Sequence, residues 1–77
     1  TISKSLNQIK ILYNQGIKDT KKLFDAAISI LDKSLELEYL EFRNADTFED
    51  VQEINGTTLV AIAAKCGKTR LIDNEII

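Results

Sequence analysis

The sequence predicts an α+β fold in which two N-terminal helices pack on one face of a small three-stranded antiparallel sheet. Three observations lead to this prediction. Apolar residues recur every three or four positions up to about residue 33. From Leu35 to Phe42 they alternate with polar residues. A second apolar run stops at Gly67-Lys68, before a further strand-like segment. With 77 residues, the chain has room for a single small domain, 1–77.

Two helices are predicted at the start of the chain. The first covers about residues 3–15 and ends before Gly16. Its apolar side is formed by Leu6, Ile9, Leu12 and Tyr13. The second covers about 21–33 and is capped by Asp19 or Thr20. Its apolar stripe is formed by Phe24, Ala27, Ile28 and Leu31. The short connection through a glycine predicts that the helices are antiparallel neighbours.

Three strands are predicted to follow the helices. In the first, residues 35–42, regular alternation puts Leu37 and Tyr39 on one face and Leu40 and Phe42 on the other. Turn signals follow at 44–46 and at Asn55-Gly56, and residues 47–54 read either as a loop or as one helical turn. The second strand covers 57–66, and a hairpin at 67–68 leads into the third.

The hairpin determines which side chains share a face. Val60, Ile62, Ala64 and Cys66 alternate with their neighbours, so they share one face of the second strand, and Cys66 is expected to be a small buried residue. In the third strand Arg70 and Asp73 are three positions apart, which points them to opposite faces. The two residues are therefore not expected to pair with each other.

Composition excludes several classes of function. The chain is 44% hydrophobic and 29% charged, has a net charge of −2, and contains one cysteine and no histidine. An internal disulfide and a Ser-His or Cys-His nucleophile pair are thereby excluded, and a structural zinc site nearly so. Without a basic patch or a long apolar run, neither nucleic acid nor a membrane is expected as a partner. The start at Thr1 favours a piece of a longer protein.

Three short patterns resemble functional motifs but lack the accompanying residues. Gly67-Lys-Thr69 matches the end of a phosphate-binding loop, but that loop needs a glycine where this chain has Ile62. Asn55-Gly-Thr57 matches a glycosylation acceptor and is interpreted as a turn. Glu36 and Glu38 share a face without an identifiable third ligand, so a solvated strand face is favoured over a metal site.

Four segments together resemble the C-terminal domain of the pantothenate synthetase (pantoate–β-alanine ligase) family. They are Leu37-Glu-Tyr-Leu-Glu-Phe-Arg-Asn44, Ala45-Asp-Thr-Phe48, Leu59-Val-Ala-Ile-Ala-Ala64 and Gly67-Lys-Thr-Arg-Leu-Ile-Asp-Asn74. The last string is the most specific. Order and spacing match from the second helix onward, whereas the first helix matches only in position and character.

The resemblance implies a cytoplasmic enzyme of coenzyme A precursor synthesis. With ATP and Mg²⁺, the family joins pantoate to AMP, and β-alanine then displaces AMP to give pantothenate. In this family a Rossmann-like N-terminal domain carries the chemistry and most of the homodimer contacts, and the C-terminal domain covers the adenylate. The family's phosphate-contacting Ser-Ser-Arg-Asn segment would precede residue 1. No catalytic, cofactor-binding or metal-binding residue is therefore carried over to this chain, which alone is expected to be an inactive monomer.

The roles of Arg70 and Asp73 remain open between two interpretations. In the structural one, which is favoured, Arg70 pairs with an acid such as Glu41, Asp46 or Asp50, and Asp73 accepts from backbone amides at a turn. In the functional one, Arg70 crosses a closed cleft to a phosphate or to the N-terminal domain.

Two other functional classes also stay open. The chain could be a non-catalytic interaction module. It could also be the lid of another adenylate-forming ligase.

Overall fold

A computed structural model describes residues 2–77. Its elements, in order, are α1 (Ile2–Asn14), α2 (Thr20–Ile30), β1 (Glu36–Asn44), β2 (Thr58–Cys66) and β3 (Thr69–Ile76). The strands form one antiparallel sheet in the order β1-β2-β3. The predicted fold class and the predicted order of elements are both confirmed. No helix among residues 2–77 is both long and apolar enough to cross a membrane.

The helix ends follow local chemistry. Gly16, at φ +99°, takes the left-handed conformation just after α1. Of the two predicted caps for α2, Asp19 is the cap, since its carboxylate accepts a hydrogen bond from the Lys21 backbone N–H at 2.9 Å. The helix ends three residues earlier than predicted, because Leu31 is already extended at ψ 134°.

The core lies between the helices and one face of the sheet. Helix α1 packs against α2, β2 and β3. The Ser5 hydroxyl, fully buried in α1, donates a 3.0 Å hydrogen bond to the Ala27 carbonyl and so links the two helices. The central strand β2 contributes most to the buried sheet surface. Its side chains meet those of the helices and of the loop before it, and the largest fully buried apolar residues are Ile9, Leu23, Ile54, Val60 and Ile62.

The regular alternation predicted for the first strand is wrong at Glu38. Leu37 pairs with Ala64 and Tyr39 with the adjacent Ala63, so Glu38 is an extra residue, a β-bulge. The bulge moves Leu37 onto the same face as Leu40 and turns Tyr39 to the other face. The apolar residues of β1 switch from odd to even positions, and one inserted residue lets both sets reach the core.

One further expectation needs correction, and one open alternative is decided. Cys66 is exposed rather than buried, because it is the last residue of β2 and pairs with Thr69 next to the hairpin turn, where the core ends. The segment 47–54 forms no helical turn. It returns along the free edge of β1, with the Val51 N–H donating to the Phe42 carbonyl at 3.0 Å and a bridge between Arg43 and Asp50.

Candidate functional site

The sheet has one face that the helices leave uncovered, here called the open face. Residues paired across an antiparallel sheet project to the same side, so the register identifies its members. From β1 to β3 they are Glu36, Tyr39, Glu41, Arg43, Leu59, Ala61, Ala63, Lys65, Arg70, Ile72, Asn74 and Ile76. Ile72 and Ile76 are more than half exposed. The middle of the open face is apolar, and charged residues lie towards both of its ends.

Arg70 lies on the open face and crosses the central strand. Its Nε donates to Glu38 Oε1 at 2.7 Å, which joins β3 to the bulge of β1. The partners suggested from the sequence, Glu41, Asp46 and Asp50, are not the ones found. The bulge explains the difference, because it turns Glu38 towards the face on which Arg70 projects. Half of the Arg70 side chain remains accessible to solvent.

Asp73 lies on the opposite face, as the three-residue spacing predicted. It pairs with Ile62 and borders a small cavity between α1 and β3, together with Lys10 and Glu75. The Asp73 Oδ1 accepts a 2.8 Å hydrogen bond from the Asn74 backbone N–H, within the strand rather than at a turn. Lys10 pairs with Glu75 at 3.1 Å. The structure therefore keeps Arg70 and Asp73 on separate surfaces.

A charged cluster that sequence reasoning missed surrounds Arg43 at the other end of the open face. The Arg43 Nε contacts Glu41 Oε2 at 2.8 Å, and Nη1 contacts Asp50 Oδ1 at 3.4 Å. The hydrogen bond to Glu41 and the charge of Asp50 raise the pKa of the Arg43 guanidinium above its usual value. Glu41 and Arg43 are two residues apart in a strand, a spacing that could have indicated the pair.

The hairpin tip does not have the geometry of a phosphate-binding loop. Gly67, at φ +62°, turns the chain directly from one strand into the next, and Lys65 and Lys68 are exposed. Across residues 2–77, no three Cys, Asp or Glu side chains lie close enough together to hold a metal ion. The described residues instead present features suited to contact with another protein surface. These are the apolar strip of the open face, the Arg70–Glu38 ion pair across it, and the exposed Lys65 and Lys68 at the hairpin turn.

Comparison with known proteins finds the same kind of protein along nearly the whole chain. The family model described as pantoate-beta-alanine ligase matches residues 1–76. The pantothenate synthetase of Acetivibrio thermocellus is 45% identical over 99% of this chain, which corresponds to 28% of that protein. Those of Thermosipho melanesiensis and Caldicellulosiruptor saccharolyticus are 44% and 37% identical, over 96% of this chain and 27% of each relative. The chain spans little more than a quarter of the length of these relatives.

Proposed function

Because this chain belongs to the pantoate–β-alanine ligase family, we propose that it is the C-terminal domain of a pantothenate synthetase and covers the active site of that enzyme. The observation that carries the proposal is the match along residues 1–76, combined with coverage of only 27–28% of the relatives. The remaining length of such a protein has room for the Rossmann-like N-terminal domain in which we place the chemistry.

In this proposal the full-length enzyme condenses pantoate and β-alanine in the cytoplasm. ATP, bound with Mg²⁺, first reacts with pantoate to give pantoyl adenylate and pyrophosphate. The β-alanine amine then displaces AMP, and pantothenate is released. We assign no catalytic or substrate-binding residue within 1–77. The partners of this domain are its own N-terminal domain and, through it, the three substrates and a second copy of the enzyme.

A cover over this site has a chemical purpose. An acyl adenylate is a mixed anhydride of a carboxylic acid and the phosphate of AMP. Its acyl group is activated, so water competes with the amine for it. A domain that closes over the bound intermediate excludes water and leaves β-alanine as the available nucleophile. Two features of this chain support such a role. Its own core is complete on one side of the sheet, and the other side presents an apolar strip with Ile72 and Ile76 exposed.

The test compares the full-length enzyme with a version that ends before Ile2. Both receive ATP and pantoate, with or without β-alanine, and AMP and pantothenate are quantified. We expect the full-length enzyme to release AMP mainly when β-alanine is present. The truncated enzyme should release AMP without forming a matching amount of pantothenate, because its adenylate is open to water.

Binding measurements complete this test. Calorimetric titration with ATP, pantoate and β-alanine should show no heat of binding for the 77-residue chain and clear binding by the full-length enzyme. Retained coupling of AMP to pantothenate in the truncated enzyme would contradict the cover role. Micromolar ATP binding by the chain alone would contradict the assignment of the substrate sites to the N-terminal domain.

A further inference from the structure

Phe48 combines an unfavourable backbone conformation with an exposed side chain. It is the one non-glycine residue between positions 2 and 77 with a positive φ, 61°. This left-handed conformation costs a bulky residue about 1–2 kcal/mol, and a glycine would adopt it without strain. The Phe48 side chain is nevertheless 60% exposed, so its contribution to the core of this domain is small. The domain's own stability therefore does not explain a phenylalanine here.

The turn that carries Phe48 is fixed on both sides of the residue. The Phe48 N–H donates to the Asn44 carbonyl at 2.8 Å, and the Phe48 carbonyl accepts from Arg43 Nη1 at 3.0 Å. The Asn44 side-chain oxygen also accepts from the backbone N–H groups of Asp46 and Thr47, at 2.8 and 3.1 Å. A turn held this firmly presents its aromatic residue with little backbone freedom left to lose on contact.

We propose that Phe48 is the aromatic anchor through which this domain contacts the rest of the ligase polypeptide when it closes. The proposal rests on the covering role described above. Exposed aromatic residues on preorganised backbone are the common anchors of protein interfaces. The surface that Phe48 would contact belongs to the remainder of the polypeptide, because about three quarters of the length of the relatives lies outside the part matched by this chain.

The charges around Phe48 favour a protein surface over an anionic ligand. The cation that contacts the Phe48 carbonyl, Arg43, is already paired with Glu41 and Asp50. Beside it, the open face continues through Leu59 to the half-exposed Ile76, which is in the same row of the sheet as Arg43. Arg43 thus joins the turn of Phe48 to a row of the sheet that carries apolar residues. An exposed aromatic residue, apolar residues and internally matched charges together resemble the composition of an interface core with its polar rim.

The experiment replaces Phe48 with glycine in the full-length enzyme. Glycine removes the ring and relieves the positive-φ strain, so the domain's own strands should remain as protected from amide hydrogen exchange as in the wild type, or more so. Docking should weaken. We expect about a tenfold loss in kcat/KM for β-alanine, the size of effect that a single aromatic anchor gives when removed. AMP release in the absence of β-alanine should rise.

The matched control is Ile30→Ala, on α2, which removes a comparably exposed apolar side chain (43%) from the helical layer.

Hydrogen exchange separates failure of this inference from failure of the proposed function. With ATP and pantoate bound, segments outside residues 1–77 should be better protected in the wild type than in the enzyme truncated before Ile2, and F48G should lose this extra protection while I30A keeps it. If the wild type shows the extra protection and F48G shows it equally, Phe48 is not the anchor although the domain does cover the site. If the wild type is protected no better than the truncated enzyme, the covering role itself is wrong, and the inference falls with it. A loss of protection within β1–β3 in F48G would instead assign the ring to the domain's own packing.

Discussion

Arg70 and Glu38 form an ion pair that is partly open to solvent, with 50% and 29% of the two side chains exposed. Pairs of this kind contribute about 0.2–1 kcal/mol, because water screens the charges and ordering the side chains costs entropy. We therefore expect Arg70→Ala to lower the thermal midpoint of the 77-residue domain by about 1–8 °C, given the usual sensitivity of domains this small. Circular dichroism melting curves measure this shift.

A double-mutant cycle shows whether the ion pair causes that shift. Glu38→Gln removes the carboxylate charge but keeps the side-chain shape, and R70A combined with E38Q should be little worse than either single variant. An unchanged midpoint in R70A, together with lost activity of the full-length enzyme, would assign Arg70 to a contact outside this domain. The role of Asp73 stays a prediction. Its carboxylate accepts a hydrogen bond from the backbone N–H of the next residue of β3, Asn74, and this local contact favours neither a structural nor a functional role.

Strand β1 owes the alignment of its apolar residues to a single extra residue. Deleting Glu38 would leave Leu37, Tyr39 and Leu40 in unbroken alternation on the faces they already occupy. We expect this deletion to keep the fold and a cooperative unfolding transition, and to lower the thermal midpoint by no more than the loss of the Arg70 pair accounts for. Thermal unfolding followed by circular dichroism measures both properties.

The control for this deletion is the removal of Ala61 from the regular part of β2. Losing one residue there turns every side chain on one side of the deletion to the other face, including core positions such as Val60. We expect the free energy of unfolding to fall by more than about 2 kcal/mol, which is comparable to the effect of exposing a buried apolar side chain. Equal effects of the two deletions would argue against a bulge at Glu38.

The whole molecule depends on a small core, and Ile62 is at its centre. A chain of this length has a stability of about 4–12 kcal/mol, and truncating a fully buried isoleucine to alanine removes about 2–5 kcal/mol. Ile62→Ala should therefore abolish a large part of the domain's stability in urea titration, because Ile62 is fully buried in the central strand. The matched substitution Ile72→Ala, at a site 56% exposed, should cost less than about 1 kcal/mol. Similar urea midpoints for the two variants would contradict the burial seen in this fold.

The sequence by itself determined the fold class, the order of the five elements and the family. Helical and strand periodicities are local properties, and the turns at Gly16 and Gly67 need only local backbone freedom, so neighbouring residues suffice to predict them. The same holds for the opposite directions of Arg70 and Asp73, which follow from strand geometry. The string from Gly67 to Asn74 carried the resemblance to the ligase family, which the match along residues 1–76 confirmed.

Only the tertiary structure decided which residues meet. The bulge at Glu38, its contact with Arg70 across β2, the exposure of Cys66 and the return of residues 49–51 along β1 all depend on pairing between distant parts of the chain. Periodicity fixes which face a side chain takes within its own element, but the register of the neighbouring strand and the extent of the helical layer decide what lies opposite. The open face of the sheet and the ion pair across it therefore form only when the three strands pair.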